Sequence, residues 1–208
     1  VPDHFIIVSG NIAAGKSTLT KALAEHYGWK PFYEAFEENP YLADFYDDMP
    51  RWSFQSQVYF LARRLQHHKA LWQHPGPVVQ DRSIYEDAEI FARNLHLQGN
   101  MSERDYSTYR HLYNGMCEFL PPPTLVIYLE ASVDVLLKRI ADRNRSYEQQ
   151  IPREYLTQIN TLYAQWAAGW TRSPLISISA ADYDFANQLD DLDTVLAIID
   201  TALQQVIA

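Results

Sequence analysis

The sequence predicts an α/β fold, a five-stranded parallel sheet flanked by helices. Three observations carry that expectation. Short apolar runs rich in β-branched residues recur at positions 5–8, 78–80, 125–129 and 175–178, with 29–33 as a fifth candidate. They are continuous rather than alternating, as strands buried on both faces should be. Between them, apolar residues repeat at helical spacing, and strands that alternate with helices imply right-handed crossovers and a sheet covered on both sides. The 208 residues suit one domain spanning 1–208, and no repeat, low-complexity segment or Gly/Ser-rich linker divides them.

The elements follow in order. Phe5-Ile6-Ile7-Val8 is the first strand, and Leu19, Ala22 and Leu23 mark a helix from Thr18 to Tyr27. After the strand at 29–33 comes an acidic loop, Glu34-Ala35-Phe36-Glu37-Glu38-Asn39-Pro40, whose last two residues suit an N-cap and first helical position for a helix through Phe45 and Tyr46. Pro50 opens a longer helix to about Trp72, with Phe54, Val58, Leu61 and Leu65 along one face, and Pro75-Gly76-Pro77 ends it. The third strand delivers Asp81-Arg82-Ser83 at its C-terminal end. Helical patterns at 84–97 and 102–119 are broken by Gly99-Asn100, and Pro121-Pro122-Pro123 is a stiff lead into the fourth strand. Val133, Leu136, Leu137 and Ile140 form the next helix. An arginine-rich turn then runs to Pro152, which opens a helix holding Leu156, Ile159, Tyr163 and Trp166. After the fifth strand, Leu192, Val195, Leu196, Ile199, Leu203 and Val206 mark a closing amphipathic helix.

Between the first strand and helix lies Gly10-Asn11-Ile12-Ala13-Ala14-Gly15-Lys16-Ser17, which fits G-x-x-x-x-G-K-[ST] at every specified position. The glycines let backbone N–H groups close around phosphate oxygens, and the helix start adds orphan donors and a positive dipole end. Gly10, Asn11, Ala13, Ala14, Gly15, Lys16, Ser17 and Thr18 are therefore the expected nucleotide contacts. Lys16 should reach the β- and γ-phosphates of ATP, and the Ser17 hydroxyl should bind Mg²⁺.

Ligands of an open parallel sheet sit at the carboxyl ends of its strands. The phosphate loop, Glu34 and Asp81-Arg82 all fall there. Glu34 offers a base for a hydroxyl acceptor, against the alternative of a solvated acidic loop. Asp81 and Arg82 suit a Mg²⁺ ion and a transferring phosphoryl group, against a structural ion pair. Arg139 and Arg143 share a helix face with Arg145 just beyond, either as a lid over a nucleotide or as a solvated face with Arg139 paired to Asp142. His67, His68 and His74 fit no standard zinc set and read as a polar helix face.

The formal charge of −9 argues against general binding to nucleic acid or membrane surfaces, although a phosphate loop still traps a small anion locally. Cys117 is the single cysteine, so no intrachain disulfide forms, and it reads as a small buried apolar group. No apolar run approaches the length of a membrane span. The sequence passes straight into its first strand without the charged and apolar segments of a signal peptide, so a cytoplasmic location is expected.

Taken together, GNIAAGKST, EAFEENPYL, RWSFQSQVYFLARR, DRSIYEDAEIFA and RIADRNRSYEQQIPREYL resemble the deoxyribonucleoside kinases, especially bacterial deoxyadenosine/deoxyguanosine members, over nearly the whole chain. The resemblance implies a P-loop kinase with an arginine-rich lid that transfers phosphate from ATP to a 5′-hydroxyl. It implies Glu34 as general base with Arg82 beside it, and Tyr46 with Glu148 on the sugar 3′-hydroxyl. Gln57 and Asp87 would read the base, with Arg64 alongside and Phe91 against the ring. Arg139, Arg143 and Arg145 fall at the lid arginines, and a homodimer is implied. Asp81 stands where animal relatives carry Glu, which leaves open whether metal contact is direct or through water. Ala35 stands where a proline often follows the catalytic glutamate, and Tyr147 replaces an acidic residue of some relatives. Two other readings compete: a nucleoside-monophosphate kinase of thymidylate-kinase type, and a nucleotide-binding subunit without turnover. The acidic context of Glu34 and the Tyr46/Glu148 pair speak against the first, which shares the loop, an Asp-Arg pair and a lid, and the presence of both Glu34 and Arg82 speaks against the second.

Overall fold

A computed structural model describes residues 4–33, 39–145, 148 and 151–207. Its elements are β1 (Phe5–Gly10), α1 (Lys16–Tyr27), β2 (Lys30–Phe32), α2 (Leu42–Asp47), α3 (Met49–Trp72) and β3 (Val78–Asp81). Next come α4 (Ile84–Glu86), a π-helical turn (Asp87–Ala92) and α5 (Arg93–Leu97), which follow one another as a single helical rod. The remainder is α6 (Glu103–Cys117), β4 (Leu125–Glu130), α7 (Val133–Arg143), α8 (Arg153–Ala168), β5 (Leu175–Ser179) and α9 (Leu189–Ile207).

The five strands form one parallel sheet in the order β2-β3-β1-β4-β5. β1 lies at its centre, with Val8 opposite Asp81 of β3 and Gly10 opposite Leu129 of β4. That register brings the phosphate loop and the Asp81-Arg82 corner to the same edge. Side chains alternate along β1. Phe5 and Ile7 enter a core shared with α3, α6 and α8, while Ile6 and Val8 enter one filled by Leu19 and Leu23 of α1, Leu136 and Ile140 of α7, and Val195 and Ile199 of α9. The sheet is thus buried on both faces, which is why its strands read as unbroken apolar runs.

Two elements depart from the expectation. The helix after Pro40 begins at Leu42, because a turn comes first: Asn39 Oδ1 accepts from the Tyr41 amide at 3.0 Å, and the Leu42 amide donates to the Asn39 carbonyl. The buried Asn39 also donates to Ser56 Oγ at 3.0 Å, tying this turn to α3. Of the expected α3 face, Leu61 is buried and Phe54 and Val58 pack half-buried against the core, but Leu65 is 36% exposed. The fully buried residues are Ser53, Ser56, Gln57, Leu61, Arg64, His68 and Leu71. Apolarity misplaces this face because α3 forms one wall of a polar cleft. His68 accordingly lies in the core against Phe5, at 5.2 Å in edge-to-face geometry, and not on a polar helix face.

Candidate active site

The phosphate loop owes its path to two tight glycines. Gly10 has φ 150°, and a Cβ there would stand 2.9 Å from the Leu129 carbonyl oxygen. Gly15 has φ 105° and lies under Phe185, whose ring would be 3.0 Å from an added Cβ. Between them Ala13 adopts φ 62°, the left-handed turn that curls successive amides around one point. Lys16 folds back so that Nζ donates to the Asn11 carbonyl at 3.0 Å. Ser17 opens outward, while Thr18 is exposed in the first turn of α1 and away from the cleft lining.

Facing the loop, Ser17 Oγ donates to Asp81 Oδ2 at 2.5 Å. Asp81 is buried, and its Oδ1 has no hydrogen-bond partner among the described residues. A buried carboxylate oxygen left in that state beside a hydroxyl fits a divalent cation, an oxygen-seeking ion that P-loop enzymes hold with the same pair of groups. Arg82 then turns the chain with φ 63°, a conformation rare for a side-chain-bearing residue and found preferentially at functional sites. This turn lays its guanidinium 4.3 Å from the centre of the Phe91 ring. The rod that follows is fixed at its start by Glu86, which accepts from the Ser83 amide at 2.8 Å and from Tyr163 of α8 at 2.9 Å.

The cleft, of about 200 Å³, runs from this corner towards α3. Its far end is built from side chains. Arg64 Nε lies 2.8 Å from Asp87 Oδ2, with both groups buried. Gln57, about two helical turns before Arg64, is buried, and its Oε1 has no partner among the described residues. The π-helical turn wraps Asp87 and Phe91 onto the cleft side of a rod packed by α3, α6 and α8. Such turns occur disproportionately at functional sites.

Of the expected residues, Ala13, Lys16, Ser17, Tyr46, Gln57, Asp81, Arg82, Asp87, Phe91, Arg143, Arg145 and Glu148 line this one cleft. Arg64 stands behind Asp87. Glu34 lies outside the described residues, as does Tyr147. The arginine cluster divides. Arg143 ion-pairs with Glu148, and Arg145 lies 3.6 Å from the same carboxylate, both at the cleft. Arg139 instead donates to the Ala14 carbonyl at 2.9 Å and the Ala180 carbonyl at 2.7 Å, so it grips the loop backbone and not Asp142.

Sequence reasoning missed Tyr155. It lines the cleft from the first turn of α8, where burial pushes its phenol well above the usual range, nearby Tyr46 adds to the effect and Arg82 opposes it. Its position next to core Leu156 gives no pattern that separates it from packing. Ile12, Tyr33, Leu42, Phe45, Leu95 and Ile151 were likewise unassigned linings.

The sequence profile of the deoxynucleoside kinases matches residues 6–204. The chain belongs to the deoxynucleoside kinase family. It is 41% identical over 199 residues to a deoxyadenosine/deoxycytidine kinase of Bacillus subtilis (strain 168), covering 94% of this chain and 92% of that one. It is 38% identical over 210 residues to a deoxyguanosine kinase of Lactobacillus acidophilus, covering 97% and 91%. The fold superposes on a deoxyadenosine kinase from M. mycoides, solved with its products dCMP and a flexible dCDP, with a TM-score of 0.83 and 28% identity over 95% of this chain and 99% of that one. This deoxynucleoside kinase is therefore a phosphotransferase of P-loop kinase fold that uses a nucleotide phosphate donor. Among the described residues, no helix of the kinase is long and apolar enough to cross a membrane.

Proposed function

We propose that the enzyme transfers the γ-phosphoryl group of ATP to the 5′-hydroxyl of a deoxyribonucleoside, with deoxyadenosine preferred, deoxyguanosine and deoxycytidine next, and thymidine last. The observation that carries the base preference is the buried Arg64–Asp87 pair at the end of the cleft away from the phosphate loop. A carboxylate only accepts hydrogen bonds, so it favours a base that presents an exocyclic amine, and adenine and cytosine do. Gln57 both gives and takes, which suits adenine's amine beside a ring nitrogen. The Arg64 guanidinium offers donors to guanine's carbonyl oxygen, and thymine's carbonyl would face the Asp87 carboxylate. Relatives named for adenine with cytosine and for guanine support placing those three bases ahead of thymine and do not order them.

The remaining roles are read from the cleft lining and, for Glu34, from the resemblance alone. Lys16 and the loop amides hold the β- and γ-phosphates. Ser17 and Asp81 would hold Mg²⁺, which when bound neutralises phosphate charge. Arg82 offsets charge at the transferring group, Glu34 takes the hydroxyl proton, Tyr46 and Glu148 hold the sugar, and Arg143 and Arg145 close over the donor. A homodimeric, cytoplasmic enzyme of one domain completes the reading. The test is kcat/KM for the four deoxynucleosides with ATP and Mg²⁺, with dAMP as a control acceptor. Thymidine as the best substrate would overturn the base assignment, and turnover of dAMP alone would overturn the acceptor.

A further inference from the structure

The phosphate loop is anchored from outside by an amide that no motif contains. Asn11 Nδ2 donates to Asn160 Oδ1 of α8 at 2.6 Å and to the Leu156 carbonyl at 3.2 Å. Its Oδ1 accepts from the Ile12 amide at 2.7 Å, and its main-chain carbonyl accepts from Lys16 Nζ. Asn11 therefore links α8 to both a loop amide and the loop lysine. Asn160 is itself oriented, because its Nδ2 donates to the Ala131 carbonyl beyond β4 at 2.8 Å. With that donor committed, its oxygen must face Asn11, so the two amides form a one-way relay from the end of β4 to the loop.

We propose that Asn160 is a positioning residue for the phosphate donor. It touches no substrate and sets the direction of the Ile12 amide and of Lys16 through Asn11. Loop amides act on phosphate by pointing, and small angular errors in oriented donors are costly. The nucleoside end of the cleft rests on α3 and the π-helical turn and shares none of these bonds. Loss of Asn160 should thus act on one substrate only.

This inference rests on the ATP-dependent activity proposed above, and its test separates the two. ATP affinity is measured by calorimetry, and KM for ATP and for deoxyadenosine by steady-state kinetics, on the wild type, Asn160→Ala, Asn11→Ala and the double variant. Asn160→Ala should weaken ATP about tenfold, the value of one well-placed hydrogen bond, and leave KM for deoxyadenosine within about twofold. In the Asn11→Ala background the Asn160 substitution should add nothing, because the relay is already cut. If Asn160→Ala does not fold, Asn160→Ser, too short to reach Asn11, must show the same one-sided loss. Unchanged ATP affinity, equal losses for both substrates, or effects that multiply in the double variant would each overturn the relay. A wild type that binds ATP yet phosphorylates no deoxynucleoside would sink the proposed function and leave the calorimetric test of the relay intact.

Discussion

The two ends of the cleft are built in opposite ways. At the phosphate end most of the proposed working groups are contiguous: one loop between β1 and α1 supplies amides, lysine and hydroxyl, and the neighbouring strand β3 delivers Asp81 with Arg82 just beyond it. At the base end nothing is contiguous. Arg64 and Asp87 meet across 23 positions of sequence, and Gln57 and Phe91 join them from the same two helical elements. Under the proposed function the phosphate end recognises something every donor shares, so a fixed backbone serves it. The base end would have to discriminate, and side chains on separate helices can be exchanged without disturbing the loop.

Substitutions at each end test that division. Glu34→Gln should lower kcat by about 10²–10⁴-fold with nucleoside KM little changed, since the amide keeps the shape and loses the basicity; an unaltered kcat removes Glu34 from the reaction. Lys16→Ala should lower turnover by about 10²–10³-fold for every nucleoside alike, with circular dichroism unchanged. A loss that depended on the base would show that the two ends are not independent. Asp87→Ala should lower kcat/KM for deoxyadenosine about ten- to hundredfold and thymidine far less, flattening the preference without touching the ATP KM. A uniform loss across the four nucleosides would make Asp87 a packing residue.

The smallest effect at neutral pH concerns His68, on the helix that carries Gln57 and Arg64. Burial pushes its pKa down to about 4, and neither ring nitrogen has a hydrogen-bond partner among the described residues. The fold therefore holds neutral imidazole. Stability is full above the unfolded value of about 6.5 and is lost as pH falls from there towards 4, by about 2 kcal/mol at pH 5. Urea unfolding at pH 7.5 and pH 5 should show this loss in the wild type and a smaller one in His68→Leu. Equal losses would place the acid sensitivity elsewhere.

The same contrast explains what the sequence could reveal. The sheet was legible because strands buried on both faces are unbroken apolar runs, and the loop because its letters are adjacent. Asp81 and Arg82 were legible because a strand delivers them to the ligand edge. The base end was reached only through resemblance, since no periodicity links position 64 to position 87. The buried face of α3 was misread because a helix that walls a polar cleft buries Gln57, Arg64 and His68 and leaves Leu65 outside. Tyr155 and Asn160 gave no signal, as each sits one residue from a core position of α8. The left-handed Arg82 had none either, because nothing in an arginine announces a positive φ.

The π-helical turn at Asp87–Ala92 gives the rod a mixed phase. An α-helix advances about 100° per residue, and a π-turn holds in effect one residue more than α-helical winding would. Glu86 before it meets Tyr163 of α8, and Leu95 after it meets the cleft. A chain that lost a single residue here would heal into regular helix, with every hydrogen bond in place and one of those two meetings turned away. The rod thus works as a vernier, and its length in residues is as much a part of the enzyme as any side chain it carries.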